Sequence, residues 1–225
     1  MPNTVKKPGS EERIAERRRS ITQAAITVIA REGLAGVILA DVAKEAGCSY
    51  GVVSFHFKSK DRLLLAALDA LMLEYREAWL ACSDAHRDPI SKLVALIDLD
   101  FASPITDSRF IAVSTAFWAE AARNAEYRKR LKTLTRAYLD RLELLVKDLA
   151  AKEPPMLDYR LIALGFSTLV DGLWLNIQVD DDGDSSRTVG RRLCRSYLEA
   201  YFPRTFHETR KAPAKPPKNR GPTSR

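Results

Sequence analysis

Between Gly47 and Lys60 the chain reads GCSYGVVSFHFKSK, with a hydroxyl at Ser54, an imidazole at His56, ring faces at Tyr50 and Phe55, and ammonium groups at Lys58 and Lys60. No acid interrupts the stretch. Hydroxyl and ammonium donors without a counter-acid suit anionic oxygens, and the ring and methyl surface beside them suits the methyl groups of nucleobases. The same residue types do not assemble a catalytic centre. His56, His86 and His207 are scattered, and the chain contains no HExxH, no Cys/His cluster and no glycine-rich phosphate loop after a strand. Asp98 and Asp100 stand two apart, which on a helix turns them about 200° from one another, so they do not converge. The expectation is therefore no enzyme, no metal site and no cofactor.

Presenting those groups requires a rigid platform, and the flanking sequence supplies one. EERIAERRRSITQAAITVIAREG carries Ile14, Ile21, Ala25, Val28 and Ile29 at helical spacing opposite a Glu/Arg face, with Gly33 placed for a C-terminal cap. A short helix from about Leu39 to Ala46 follows, then a turn at Gly47 and a second short helix with Ser49 as its N-cap. Two short helices joined by a tight turn and preceded by a basic helix make a helix-turn-helix. Ala43 permits the close crossing, Gly47 supplies positive φ, Val53 anchors the second helix, and Val42, Ala46 and Phe57 complete the buried side. Tyr50, Gly51, Val52, Ser54, Phe55 and His56 then face outward, with Lys58 and Lys60 just beyond. In double-stranded DNA, Ser54 would address a base or phosphate, Val52 and Phe55 a thymine methyl, and His56 and Lys60 phosphate oxygens. Lys60 also opens the next helix, whose amides favour an anion.

Charge distribution agrees. The formal charge is +7; residues 1–31 hold seven Lys/Arg against three acids and residues 203–225 seven against one, leaving −3 for the middle. Basic ends on a mildly acidic body suit a polyanion. Cys48, Cys82 and Cys194 are widely spaced, as expected of reduced thiols in a cytoplasmic protein. No export signal or membrane-spanning run is expected. The periodicity predicts an all-α chain of about nine helices: a flexible basic arm over 1–10, the helix-turn-helix domain over 11–58, a helical domain over 59–202, and a disordered basic tail over 203–225. Ser103 with Pro104, Pro154 with Pro155, and the loop DDDGDSS punctuate the second domain.

AGCSYGVVSFHFKSKDRLL resembles the signature of TetR-family repressors, strongly over about Arg17 to Leu65, with Gly47, Ser49, Gly51, His56, Phe57, Lys60 and Leu63 matching. Two positions depart. Many members carry tyrosine where this chain has Ser54, and a threonine capping the first helix of the pair where it has Ile38. Serine at position 54 also occurs in the choline-responsive BetI branch, which AFWAEA (Ala116–Ala121) and VDGLWLN (Val170–Asn176) resemble too. The resemblance implies a homodimer paired through its last two helices, a palindromic operator, and a small-molecule effector pocket in the second domain.

Apolar residues on the helix near 157–179 and on the last helix need a covering surface, which two-fold pairing would provide. For the effector, ring faces near carboxylates suit a small organic cation such as choline. The available sets are Trp118 with Phe117, Trp174 with Asp171, Phe101 with Asp98 and Asp100, and Trp79 with Tyr75. Phe101, Phe117, Trp118, Asp171 and Trp174 are the expected effector contacts. The competing expectation is a helical adaptor that binds another protein and meets nucleic acid only non-specifically through its basic ends.

Overall fold

The computed structural model describes residues 9–103, 105, 108–153, 156–180 and 182–211. Among them are ten α-helices, one short 3-10 turn at Ala150–Lys152, and no strand. The helices are α1 (Ser10–Gly36), α2 (Leu39–Glu45), α3 (Tyr50–Phe57), α4 (Lys60–Asp84), α5 (Pro89–Asp100), α6 (Ser108–Ala121), α7 (Ala125–Leu149), α8 (Tyr159–Val179), α9 (Gly183–Tyr201) and α10 (Pro203–Lys211).

Local sequence chemistry sets the helix starts. Ser59, Asp88, Asn124, Asp158 and Asp182 precede α4, α5, α7, α8 and α9, and each side chain accepts a hydrogen bond from a backbone N–H in the first turn. Such caps satisfy donors that the helix itself leaves open. Gly33 breaks the helical path of α1 at φ 68°, and Gly47 turns at φ 60°, both in the left-handed region that favours glycine. After α2, Cys48 N–H donates to the Ala43 carbonyl at 2.9 Å and Gly47 N–H to that of Lys44 at 3.2 Å. This is the paired closure of a Schellman motif, and it fixes the direction in which α3 leaves.

α1 packs against α2, α4 and α6, while α2 and α3 cross one another. The remaining helices stack through α4 with α5, α6 with α7, α7 with both α8 and α4, and α8 with α9. One continuous apolar core runs from Ile21 through Val53, Phe57, Leu68 and Phe117 to Phe206. α8 is long and apolar enough by composition to cross a bilayer, but Ile162, Phe166, Val170 and Leu173 on it are buried in that core.

One expectation needs correction. The tail from Pro203 begins as α10, with Thr205 and Phe206 buried, rather than as disordered chain. Thr205 explains the docking: its N–H and hydroxyl donate to Glu153 Oε1 at 2.8 and 2.9 Å, while Phe206 joins the core. Two hydrogen bonds to Glu153 and one buried ring dock this turn where overall composition reads as polar. Residues 212–225 and 1–8 lie outside the described residues, as do Pro104, Pro154, Pro155 and Asp181.

Gly190 on α9 is buried against Phe101, and a Cβ there would stand 2.4 Å from the ring. Phe101 is fully buried, so it has little room to retreat. Gly190→Ala is expected to cost about 1–3 kcal/mol through overpacking, read as a lower denaturant midpoint.

Candidate functional site

The reading head is built from the buried side outward. Val42, Val53 and Phe57 are excluded from water and Ala43 nearly so. That leaves the opposite side of α3 for presentation. Tyr50 and Phe55 are 57% and 68% exposed, an unusual display of ring surface unless something covers it. Gly51 is exposed, Ser54 and His56 are half-buried, and Val52 turns partly inward against the core. The Phe55 and His56 rings meet edge to face at 5.4 Å, and the Lys58 ammonium lies 5.7 Å from the Phe55 ring centroid.

Arg18, which the sequence reading passed over, ties this helix to α1. Its guanidinium lies 4.3 Å from the Phe57 ring centroid and donates to the His56 carbonyl at 2.8 Å. A cation at a helix C-terminus suits the exposed carbonyls and the helix dipole there. Lys60 donates to the Ala35 carbonyl at 3.2 Å. An ammonium has three donors, so this bond still leaves N–H groups for a phosphate.

The second domain contains an aromatic chamber of about 60 Å³. Tyr75 from α4, Phe110 and Trp118 from α6, Tyr138 from α7, and Trp174 with Asp171 from α8 stand around it. Tyr75 and Phe110 both meet the Trp174 ring edge to face, at 5.9 and 5.6 Å. Among the described residues no Lys, Arg or His lines the chamber. It shares Ser114, Trp118, Asp171 and Trp174 with an outer cleft of about 340 Å³. Three of the five expected effector contacts, Trp118, Asp171 and Trp174, therefore converge here. Phe101 and Phe117 do not: both are fully buried, Phe101 against Gly190 and Phe117 edge to face with Tyr127. Tyr75, Phe110 and Tyr138 complete the box; the sequence offered Tyr75 only in the set with Trp79, and Phe110 and Tyr138 belong to ordinary apolar stripes.

Behind the chamber Asp100 is fully buried. Tyr75 donates its hydroxyl to Asp100 Oδ1 at 2.7 Å, and the Trp174 indole N–H donates to the Asp100 carbonyl at 2.8 Å. Burial without a counter-ion raises the Asp100 carboxyl to about 7, partly opposed by the Tyr75 hydrogen bond. Asp171, exposed at the chamber rim, is held at about 6 by the protein crowding it. Burial also pushes the Cys194 thiol up to about 12, so it is no nucleophile at neutral pH.

Comparison with known proteins decides the family. A model described as the BetI-type transcriptional repressor C-terminal domain matches residues 89–203, and one described as bacterial regulatory proteins of the tetR family matches 21–67. The chain belongs to the TetR family. It is 34% identical over 163 residues to the HTH-type transcriptional regulator BetI of Paraburkholderia xenovorans, spanning 71% of this chain and 80% of that one. A transcriptional regulator from Saccharomonospora viridis, solved in complex with choline, is 25% identical with a TM-score of 0.74, covering 82% of this chain and 96% of its own. A transcriptional regulator from Pseudomonas aeruginosa PAO1 has the same fold at 21% identity and a TM-score of 0.74, over 90% of this chain and 99% of its own. This TetR-family chain is thus a DNA-binding transcriptional regulator under effector control, a repressor by type that acts as a dimer, and not an enzyme. The adaptor alternative is not favoured.

The buried carboxyl makes stability depend on pH. Asp100 titrates near 7 in the fold and near 4 when unfolded, so between these values the fold holds the proton more tightly. Stability from this group is full below about pH 4, falls as pH rises to about 7, and is flat above. Asp100→Asn, which keeps an acceptor for Tyr75, is expected to remove that slope, on the order of 2–4 kcal/mol between pH 4 and 8. Urea melts of both proteins across that range measure it.

Proposed function

We propose that this regulator senses a small quaternary ammonium compound of the choline class in the aromatic chamber, and that its occupancy releases the protein from operator DNA. The observation that carries the reading is the chamber wall: five aromatic side chains, a carboxylate at the rim and no cationic side chain. A methylated ammonium offers no hydrogen-bond donor, so ring faces are its natural partners and a nearby carboxylate its counter-charge. The likeness to a choline-bound regulator at 25% identity supports the same assignment.

The reading also connects ligand to DNA. Leu68, Met72 and Tyr75 on α4 and Phe110, Ser114 and Trp118 on α6 line the chamber, and both helices pack against α1 of the head. A ligand that prefers one spacing of α4 and α6 biases the position of α3, and only such a differential preference regulates. Tyr50, Gly51, Val52, Ser54, Phe55, His56 and Lys60 are the proposed DNA contacts. Pairing two chains would cover the exposed Leu161, Leu164 and Leu175 of α8 together with Val189 and Leu193 of α9. The working compartment is the cytoplasm, where the DNA is.

Selection of bound duplexes from a random pool is expected to return a two-fold repeat whose half-site centres lie about 10 bp, or a multiple of that, apart. Choline, titrated calorimetrically, is expected to bind and to lower affinity for the recovered operator, with Trp174→Ala weakening choline about ten-fold or more and Trp174→Phe retaining most of it. No choline binding, or binding that leaves operator affinity unchanged, overturns the reading.

A further inference from the structure

A second hollow, of about 400 Å³, adjoins the aromatic chamber and shares Trp118, Leu131 and Thr135 with it. Its chemistry is opposite. Arg128, Lys132, Arg136 and Arg160 stand along it, and among the described residues no acid does. Arg128, Lys132 and Arg136 recur every four residues on α7, which puts them on one stripe about 6 Å apart. Like charges at this spacing repel and work against the helix, unless an anion lies among them.

Two of the four cations are already engaged. Arg128 donates to the carbonyls of Ala121 and Ala122 at 2.8 and 3.2 Å. Arg160 meets Glu143 at 3.1 Å and Asp140 at 3.7 Å. Lys132 and Arg136 are exposed and have no hydrogen bond or ion pair among the described residues. Trp118, itself 52% exposed, borders both hollows. Asp171 lines the chamber and the outer cleft but not the cationic groove. Negative charge therefore serves the chamber, and positive charge the hollow on the other side of Trp118 and Thr135.

We propose that the effector is zwitterionic: a quaternary ammonium bearing a phosphate ester, with its ammonium in the aromatic chamber and its phosphate past Trp118 on Lys132 and Arg136. This rests on the quaternary-ammonium reading above and narrows it. A betaine carboxylate, one carbon from its nitrogen, stays within the chamber, whose lining offers hydroxyls at Ser114, Thr135 and Ser167 but no cation. A phosphate on a longer arm leaves the chamber and meets both free cations.

Calorimetric titration of choline, glycine betaine and phosphocholine tests this on wild type, Lys132→Gln/Arg136→Gln and Arg136→Lys. Phosphocholine is expected to bind wild type about ten-fold tighter than choline at low salt, since charge-assisted hydrogen bonds are the stronger kind. The advantage is expected to shrink as salt screens the exposed cations. The double variant is expected to weaken phosphocholine about ten-fold more than choline, with Arg136→Lys retaining most of the preference. Choline binding as tightly as phosphocholine, or a double variant that weakens both alike, overturns the zwitterion and leaves the choline reading standing. Failure of all three compounds to bind overturns both. Flotation with phosphatidylcholine vesicles separates the two sources of this headgroup. The enclosed chamber predicts no protein with the vesicles, and protein floating while free phosphocholine fails to bind overturns the soluble ester.

Discussion

Asp100 closes α5 with its carboxyl shut away from water, and among the described residues no cation meets it. A charge in that position would be costly, so the group is held near neutrality and leans on what hydrogen bonds it has. Tyr75 from α4 supplies one, and the Trp174 indole from α8 is fixed by the same residue's carbonyl. Two walls of the chamber, on helices separated by about a hundred residues of chain, are thereby referenced to a single point. Ring faces that are to hold a cation must keep their relative angles. A pure packing contact would let Tyr75 and Trp174 slide, whereas two directional bonds to one residue do not.

From that anchor the consequences run along α4 and α6. Tyr75 lies midway along α4, whose first residue, Lys60, bonds back to the end of α1. Asp69, six residues before Tyr75, makes a bidentate pair with Arg130 of α7, so α4 is tied to the sensor bundle above the head as well as at the chamber. α6 meets α1 on one side and offers Phe110, Ser114 and Trp118 to the chamber on the other. The head therefore rests on two helices that also form walls of the chamber. A packed interface of this kind switches between discrete arrangements rather than bending smoothly, so a change at the chamber would be carried over the length of α4.

How far the sequence discloses all this follows from what each signal measures. The head was legible because its requirements are local: Gly47 for the turn, Ala43 for the crossing, and Val53 and Phe57 at helical offsets for burial. The chamber was only half legible. Helical spacing says which face of a helix is apolar, but not whether that face meets another side chain or a void, so Phe101 and Phe117 read the same as Trp118 and Trp174. The pairing of Trp174 with Asp171 led to one chamber because a carboxylate three residues from an indole shares its face. Tyr138 and Phe110 carried no such mark. Arg18 was lost among three consecutive arginines, since nothing local distinguishes the one that reaches His56. Thr205 and Phe206 were hidden by the composition around them.

The two departures from the family pattern differ in where their effects fall. Ile38 stands at the N-cap of α2 with no side-chain bond, and Ser49 before α3 makes none either. Lys58 ends α3 at φ 60°, a conformation that costs a residue with a Cβ about 1 kcal/mol. Apart from the Schellman turn that closes α2, the local devices that stabilise a short helix are thus weak here. The helix pair depends instead on tertiary contacts, Val42, Val53 and Phe57 in the core and Arg18 across the C-terminus of α3. Ser54 belongs to neither group: it is half-buried, its carbonyl accepts the Lys58 N–H at 3.0 Å, and its side chain contributes nothing to the buried set. Replacing a large ring by a hydroxymethyl group at such a position leaves the platform in place and removes reach. Tyr50 and Phe55, the exposed rings on either side of it, are then the large apolar side chains that this face of α3 still displays.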